Sequence, residues 1–159
     1  MQKELTINFE EIESYNQLND TEKLLFDKAK EIRDLAYAPY SNFTVGCAIL
    51  LENEKIITGS NQENAAYPSG LCAERTAIFY TGANFPDVKI TKIFVIGAPR
   101  DAIKSVPIPP CGACRQSILE YEAKQQDVIE VYFASLNDVI FKTNSIRDLL
   151  PFSFDSSYL

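Results

Sequence analysis

Ile90-Thr91-Lys92-Ile93-Phe94-Val95-Ile96-Gly97 is a short apolar run rich in β-branched residues. Pro110-Cys111-Gly112-Ala113-Cys114 follows, opening a helical stretch to Ala123, and then a second β-rich run from Val128 to Ala134. Strand, helix and strand in that order predict a crossover unit, and a strand apolar at nearly every position predicts burial on both faces. Pro110, just before the helix, suits a helix start, where its missing N–H costs nothing.

Upstream, Cys72 to Tyr80 reads as a helix stopped by Gly82. Thr44 to Leu51 and Lys55 to Ser60, joined by the polar turn Glu52-Asn53-Glu54, read as a hairpin. Asn19 with Glu22 resembles a capping box, and Leu25, Ala29, Ile32 and Ala36 recur at helical spacing up to the break at Pro39. Downstream, Val139 to Lys142 suggests one more strand, and Ser145 to Leu150 a short helix ended by Pro151. The first eighteen residues are acidic and weakly patterned, an arm to which the sequence assigns no structure; residues 19–159 read as one domain. Helix, two strands, helix, strand, helix, two strands and helix predict an α/β fold of three layers (α/β/α) around a mixed sheet of about five strands.

A chain of 159 residues with 46% apolar and 23% charged side chains is an ordinary globular composition, long enough for a hydrophobic core without disulfide staples. Net charge is −7, with no basic run that could track a phosphate backbone, so a nucleic acid polymer is not an expected partner. No stretch approaches the roughly 20 apolar residues that cross a bilayer, and Met1-Gln2-Lys3-Glu4 lacks the shape of a signal peptide, so no membrane partner and a cytoplasmic location are expected. In that compartment thiols stay reduced, and the four cysteines point to metal or catalysis rather than to bridges.

The chain has no histidine, which removes every Ser-His-Asp or Cys-His nucleophile and every His-ligated metal site. Cys111-Gly112-Ala113-Cys114 alone could be a redox dithiol or half of a zinc site. Cys72, at the start of another predicted helix, adds a third thiol where helix dipoles favour the thiolate a metal needs. Catalytic zinc keeps three protein ligands and leaves the fourth position to water, whereas structural zinc takes four. Cys47 is the one candidate for a fourth thiolate, but Val45-Gly46-Cys47-Ala48-Ile49 is an apolar strand in which a cysteine behaves as a small hydrophobe. Three thiolates on Zn²⁺ carry a net −1, which a neighbouring cation such as Arg75 would offset. Glu74, two residues from Cys72, would sit near the metal without binding it, as a proton-shuttling carboxylate must; a solvated Glu–Arg surface pair is the competing reading.

Cys-x-Glu followed by Pro-Cys-x-x-Cys matches the pattern of zinc nucleobase deaminases. Ala38-Pro39-Tyr40-Ser41-Asn42-Phe43-Thr44-Val45-Gly46, Gly59-Ser60-Asn61-Gln62-Glu63-Asn64-Ala65-Ala66-Tyr67, Cys72-Ala73-Glu74-Arg75-Thr76-Ala77, Pro110-Cys111-Gly112-Ala113-Cys114-Arg115-Gln116 and Leu149-Leu150-Pro151 extend the match. In these blocks the chain resembles the small homotetrameric cytidine deaminases from about Ala38 to Phe154.

The resemblance implies zinc on Cys72, Cys111 and Cys114, a free pyrimidine nucleoside as substrate with water as co-reactant, and a homotetramer acting in pyrimidine salvage. It further implies that Asn61 and Glu63 bond the ribose hydroxyls, that Phe43 packs near the base, and that Glu74 and the Ala73 backbone contact the pyrimidine edge. A phenylalanine after Leu-Leu-Pro, Phe154 or else Phe152, would reach in from a neighbouring subunit. On the residues alone, Asn61 competes with an ordinary turn residue after Gly59-Ser60. The expected reaction is hydrolytic deamination of cytidine and 2'-deoxycytidine to uridine and 2'-deoxyuridine with release of ammonia, Glu74 moving protons from water to N3 and to the departing amine. Deamination of a modified nucleoside, a non-catalytic Cys₄ zinc domain using Cys47, and a dithiol oxidoreductase are the rivals. The chain departs from the family in having Cys47 where relatives usually have alanine, in Pro68-Ser69-Gly70, and in the long N-terminal arm.

Overall fold

A computed structural model describes all 159 residues. Six strands form one sheet in the order β1-β6-β5-β4-β2-β3, from β1 (Glu10–Ile12), β2 (Phe43–Leu51), β3 (Ile56–Ser60), β4 (Ile90–Pro99), β5 (Glu130–Ala134) and β6 (Ile140–Thr143). Only β4 and β5 are parallel; all other neighbours are antiparallel. The mixed sheet is as expected but has one strand more. The extra strand is β1, drawn from the arm and paired antiparallel with β6, Glu10 opposite Lys142 and Ile12 opposite Ile140. Three residues with two glutamates carry no apolar alternation, so periodicity could not reveal it.

Side chains alternate across the sheet with period two, and each face meets its own helices. Ala48, Phe94, Ile96 and Tyr132 face α1 (Asp20–Arg33), which buries Leu25, Phe26 and Ala29 against them. Cys47, Ile49, Ile93, Val95 and Val131 face α2 (Ala73–Asn84) and α3 (Gly112–Gln125), which bury Ala77, Ile78, Ile118 and Leu119. This gives the three layers, and because both faces are covered the central strands are apolar throughout. The Asn19–Glu22 capping box forms in full: the Asn19 side chain accepts from the Glu22 N–H, and the Glu22 carboxylate from the Asn19 N–H, both at 3.0 Å. The short helix expected over Ser145 to Leu150 is a 3-10 turn, Ile146–Leu149, capped by Ser145, and one further 3-10 turn, Ser156–Tyr158, follows it.

Gly82 does not stop α2, which runs on to Asn84. A Cβ at Gly82 would lie 2.2 Å from the Tyr121 hydroxyl on α3, so glycine serves the close approach of the two helices. Gly46 does the same between β2 and α1, where a Cβ would lie 1.9 Å from the Ala29 carbonyl oxygen. In the β4-α3-β5 crossover, α3 returns against the strand direction and its N-terminus lies at the carboxyl end of β4, the usual place for a ligand in such a sheet.

Candidate active site

Cys72 is the N-cap of α2, Cys111 is the N-cap of α3, and Cys114 sits in the first turn of α3. The three sulfurs all lie within 4.8 Å of one another, with 3.8 Å between Cys72 Sγ and Cys111 Sγ and 3.5 Å between Cys111 Sγ and Cys114 Sγ. Ligands at the ~2.3 Å zinc–thiolate distance and tetrahedral angles are separated by about 3.8 Å, so the donor set fits zinc. Cys114 is buried, Cys72 half-buried and Cys111 exposed, so the cluster opens to solvent on one side. Cys47 is fully buried in the core beside Ala73 and Ala77 and takes no part in the cluster, and burial pushes its thiol well up.

The cluster favours one thiolate, on Cys72. A hydrogen bond from Cys114 and the Arg75 guanidinium bring the Cys72 thiol down to about 5, against opposition from burial. Cys114, which keeps the proton in that pair, is raised. Arg75 Nη2 donates to Cys72 Sγ at 3.7 Å, and Arg75 Nε is buried without a partner. Both helix N-termini add partial positive charge. Glu74, in the first turn of α2, is 5% exposed, and burial pushes its carboxyl up to about 7. This excludes the solvated surface pair as a reading of Glu74.

A cavity of about 500 Å³ adjoins the cluster, with Cys72, Arg75, Asn61, Glu63, Tyr40 and Tyr67 among its walls. Its size suits a small ligand. Asn61 and Glu63 line it while bracing the loop opposite. Asn61 Oδ1 accepts from the Val45 N–H at 2.8 Å, and Asn61 Nδ2 donates to the Phe43 carbonyl at 2.9 Å. The Glu63 carboxylate accepts from the Tyr40 and Ser41 N–H groups and from the Ser41 hydroxyl, the last of these being the main reason it is held below the usual carboxylate range. Phe43 is half-buried at the start of β2, and Ala73 is buried at the start of α2. Phe154 lies outside this cavity, on a C-terminal tail whose carbonyl accepts from Gln116 Nε2 at 2.8 Å; Phe152 is 98% exposed. The sequence reading gave no role to Tyr40 and Tyr67, whose rings meet edge to face across 6.3 Å in the cavity wall. The available signal was a tyrosine in each of the two motif blocks that also hold Phe43, Asn61 and Glu63.

Residues 19–130 match the family model described as the cytidine and deoxycytidylate deaminase zinc-binding region. The chain is 39% identical to a cytidine deaminase of Sporosarcina psychrophila over 140 residues, covering 88% of this chain and 95% of the relative. Identity to a cytidine deaminase of Halalkalibacterium halodurans is 37% over 134 residues, 83% of this chain and 92% of that one. The crystal structure of cytidine deaminase from Burkholderia pseudomallei superposes with a TM-score of 0.71 at 39% identity, covering 82% of this chain and 97% of that chain. With the domain match, the near-complete coverage of these relatives and the shared fold all in agreement, this chain belongs to the cytidine and deoxycytidylate deaminase family.

Proposed function

We propose that this protein is a zinc-dependent cytidine deaminase that converts cytidine and 2'-deoxycytidine, with water, to uridine and 2'-deoxyuridine and ammonia. The observation that carries this reading is the convergence of three cysteines on two helix N-termini beside the buried carboxyl of Glu74, with Cys72 in the wall of a cavity of about 500 Å³. Cys72, Cys111 and Cys114 would hold the zinc and leave one position open. Zinc bound there would supply Lewis-acid activation of water.

Glu74 takes a proton from the attacking water and passes it to N3 as oxygen adds to C4. It then takes the second proton from the new hydroxyl and delivers it to the amine, which leaves as ammonia while the C4 carbonyl forms. A carboxyl raised to about 7 by burial suits both directions of that transfer. Arg75 offsets the excess negative charge of three thiolates through its contact with Cys72. Asn61 and Glu63 orient the ribose, Ala73 and Phe43 contact the base, and Phe154 reaches the site of a neighbouring subunit. Phe154 lies outside its own chain's cavity, and the homotetramer implied by the family resemblance is the assembly in which it would reach another.

No helix is long and apolar enough to cross a membrane. The acidic net charge disfavours a nucleic acid polymer as partner, and we place the enzyme in cytoplasmic pyrimidine salvage. Incubating zinc-loaded protein with cytidine, 2'-deoxycytidine and a base-modified cytidine in competition, while following ultraviolet absorbance and ammonia, tests the substrate. Turnover of the unmodified nucleosides is expected, and turnover of the modified one alone would overturn the assignment. Light scattering at four times the chain mass is the expected assembly result, and a monomer with full activity would contradict the role given to Phe154.

A further inference from the structure

Two consecutive side chains on the first turns of α3 hold the C-terminal tail at its start and at Phe154. Arg115 Nη1 donates to the Leu149 carbonyl at 2.9 Å, and Gln116 Nε2 donates to the Phe154 carbonyl at 2.8 Å. Arg115 also donates through Nε to the Pro110 carbonyl at 2.7 Å, fixing the peptide that leads into Cys111. One guanidinium therefore joins the entry to a metal-cluster cysteine and the start of the tail, a two-pronged contact that lysine cannot reproduce.

Between and beyond these anchors the tail is folded back on itself. Phe152 occupies the left-handed region with φ 55°, and Asp155 caps the turn Ser156–Tyr158 by accepting from the Ser157 N–H at 2.9 Å. Arg147 braces the middle, bonding Ser153 Oγ at 3.0 Å and Asp155 Oδ2 at 2.7 Å. The Tyr158 ring stacks on Phe154 with centroids 5.5 Å apart and planes 11° from parallel. The remaining backbone bonds of the tail are local, such as Tyr158 N–H to the Asp155 carbonyl and Leu159 N–H to the Ser156 carbonyl. The side chains of α3 and Arg147 therefore fix its position.

We propose that Arg115 and Gln116 are positioning residues that mount the C-terminal aromatic tail on the helical turn bearing Cys111 and Cys114, so that this turn sets where Phe154 meets the nucleoside. The inference rests on the role given to Phe154 in a neighbouring site and identifies what holds that residue in place. It assigns Tyr158 a part as well, since the stacked ring limits the orientations open to Phe154.

The test uses the full-length zinc-loaded protein carrying Gln116→Glu, which keeps the shape and removes the donor, and Arg115→Lys. Releasing an ordered aromatic side chain before binding is expected to raise KM roughly 3–10-fold in Gln116→Glu, with kcat within about twofold of the parent. Its zinc content should be unchanged. Arg115→Lys is expected to raise KM similarly and also to weaken zinc retention against a chelator, because the Pro110 peptide is freed. The chain has no tryptophan, so Tyr158→Trp supplies a single fluorophore whose anisotropy reports the order of the tail without reference to activity; it should fall when combined with either substitution. Unchanged KM and unchanged anisotropy in both variants would overturn the proposal. If Phe154→Ala leaves KM unaltered, the role of Phe154 fails while the anisotropy still decides whether α3 holds the tail.

Discussion

Glu74 on α2 and Cys47 on β2 are both buried acidic groups, and their environments assign them opposite fates. Glu74 faces the thiol cluster and is raised only to the neutral range, where it can exchange protons; Cys47 lies in the core with its thiol pushed well up. Cys47→Ala should therefore retain one zinc per chain, whereas Cys114→Ala should lose it, as measured by elemental analysis after gel filtration. Zinc loss from Cys47→Ala would revive a four-cysteine site. At this scale the sequence was most legible for groups whose chemistry follows from spacing, namely Cys72, Glu74, Cys111 and Cys114. It was least legible for Asn61 and Glu63, because their hydrogen bonds run to Phe43, Val45, Tyr40 and Ser41, partners that only the folded hairpin brings near.

The elements are positioned by close approaches that a single chain position cannot announce. Gly82 read as a helix stop because a glycine near a helix end usually is one; the actual cause is the Tyr121 ring across the α2–α3 contact. Gly46 meets backbone atoms of α1, which cannot move aside, while the obstacle at Gly82 is a side chain that can turn. Gly46→Ala should thus destabilise by more than the roughly 1–3 kcal/mol typical of overpacking, and Gly82→Ala should fall within that range, with the order read from chemical denaturation midpoints. The reverse order would show that α1 yields more easily than Tyr121.

The tail carries a signed pH dependence. Ser157 hydrogen bonds and Arg147 depress the Asp155 carboxyl from 3.8 to about 2, so the ionised form stabilises the local turn through Ser157 and the tail's attachment through Arg147. That contribution is complete above the unfolded value near 3.8 and is lost as pH falls through about 2. The anisotropy of Tyr158→Trp should therefore be flat at neutral pH and drop only in strong acid; a drop near neutrality would assign tail order to another group.

Across the whole molecule, the sheet was legible where both faces are covered, because burial on both sides writes continuous apolar runs into β2, β4 and β5. Its edge was not, since β1 is held by backbone pairing with β6 and by the contact of Phe9 with Phe141, neither of which imposes a pattern. The family match begins at residue 19, and the part of the arm that enters the core is its end: Leu18 is buried against α1, and Tyr15 meets Phe26 edge to face, whereas residues 1–11 stay outside that cluster. Deleting residues 1–13 should cost about 1–2 kcal/mol, lowering Tm by roughly 2–8 °C, with zinc content and turnover kept. Loss of zinc on deletion would show that the arm reaches the site.

The central claim is that Glu74 moves protons beside a zinc held by three cysteines. The direct measurement is cytidine turnover, followed by ultraviolet absorbance, in zinc-replete wild type and Glu74→Gln with zinc content determined on the same samples. Equal zinc is expected in both, with a rate lower by ~10²–10⁴-fold in the variant. Equal zinc with undiminished turnover in Glu74→Gln would contradict the claim.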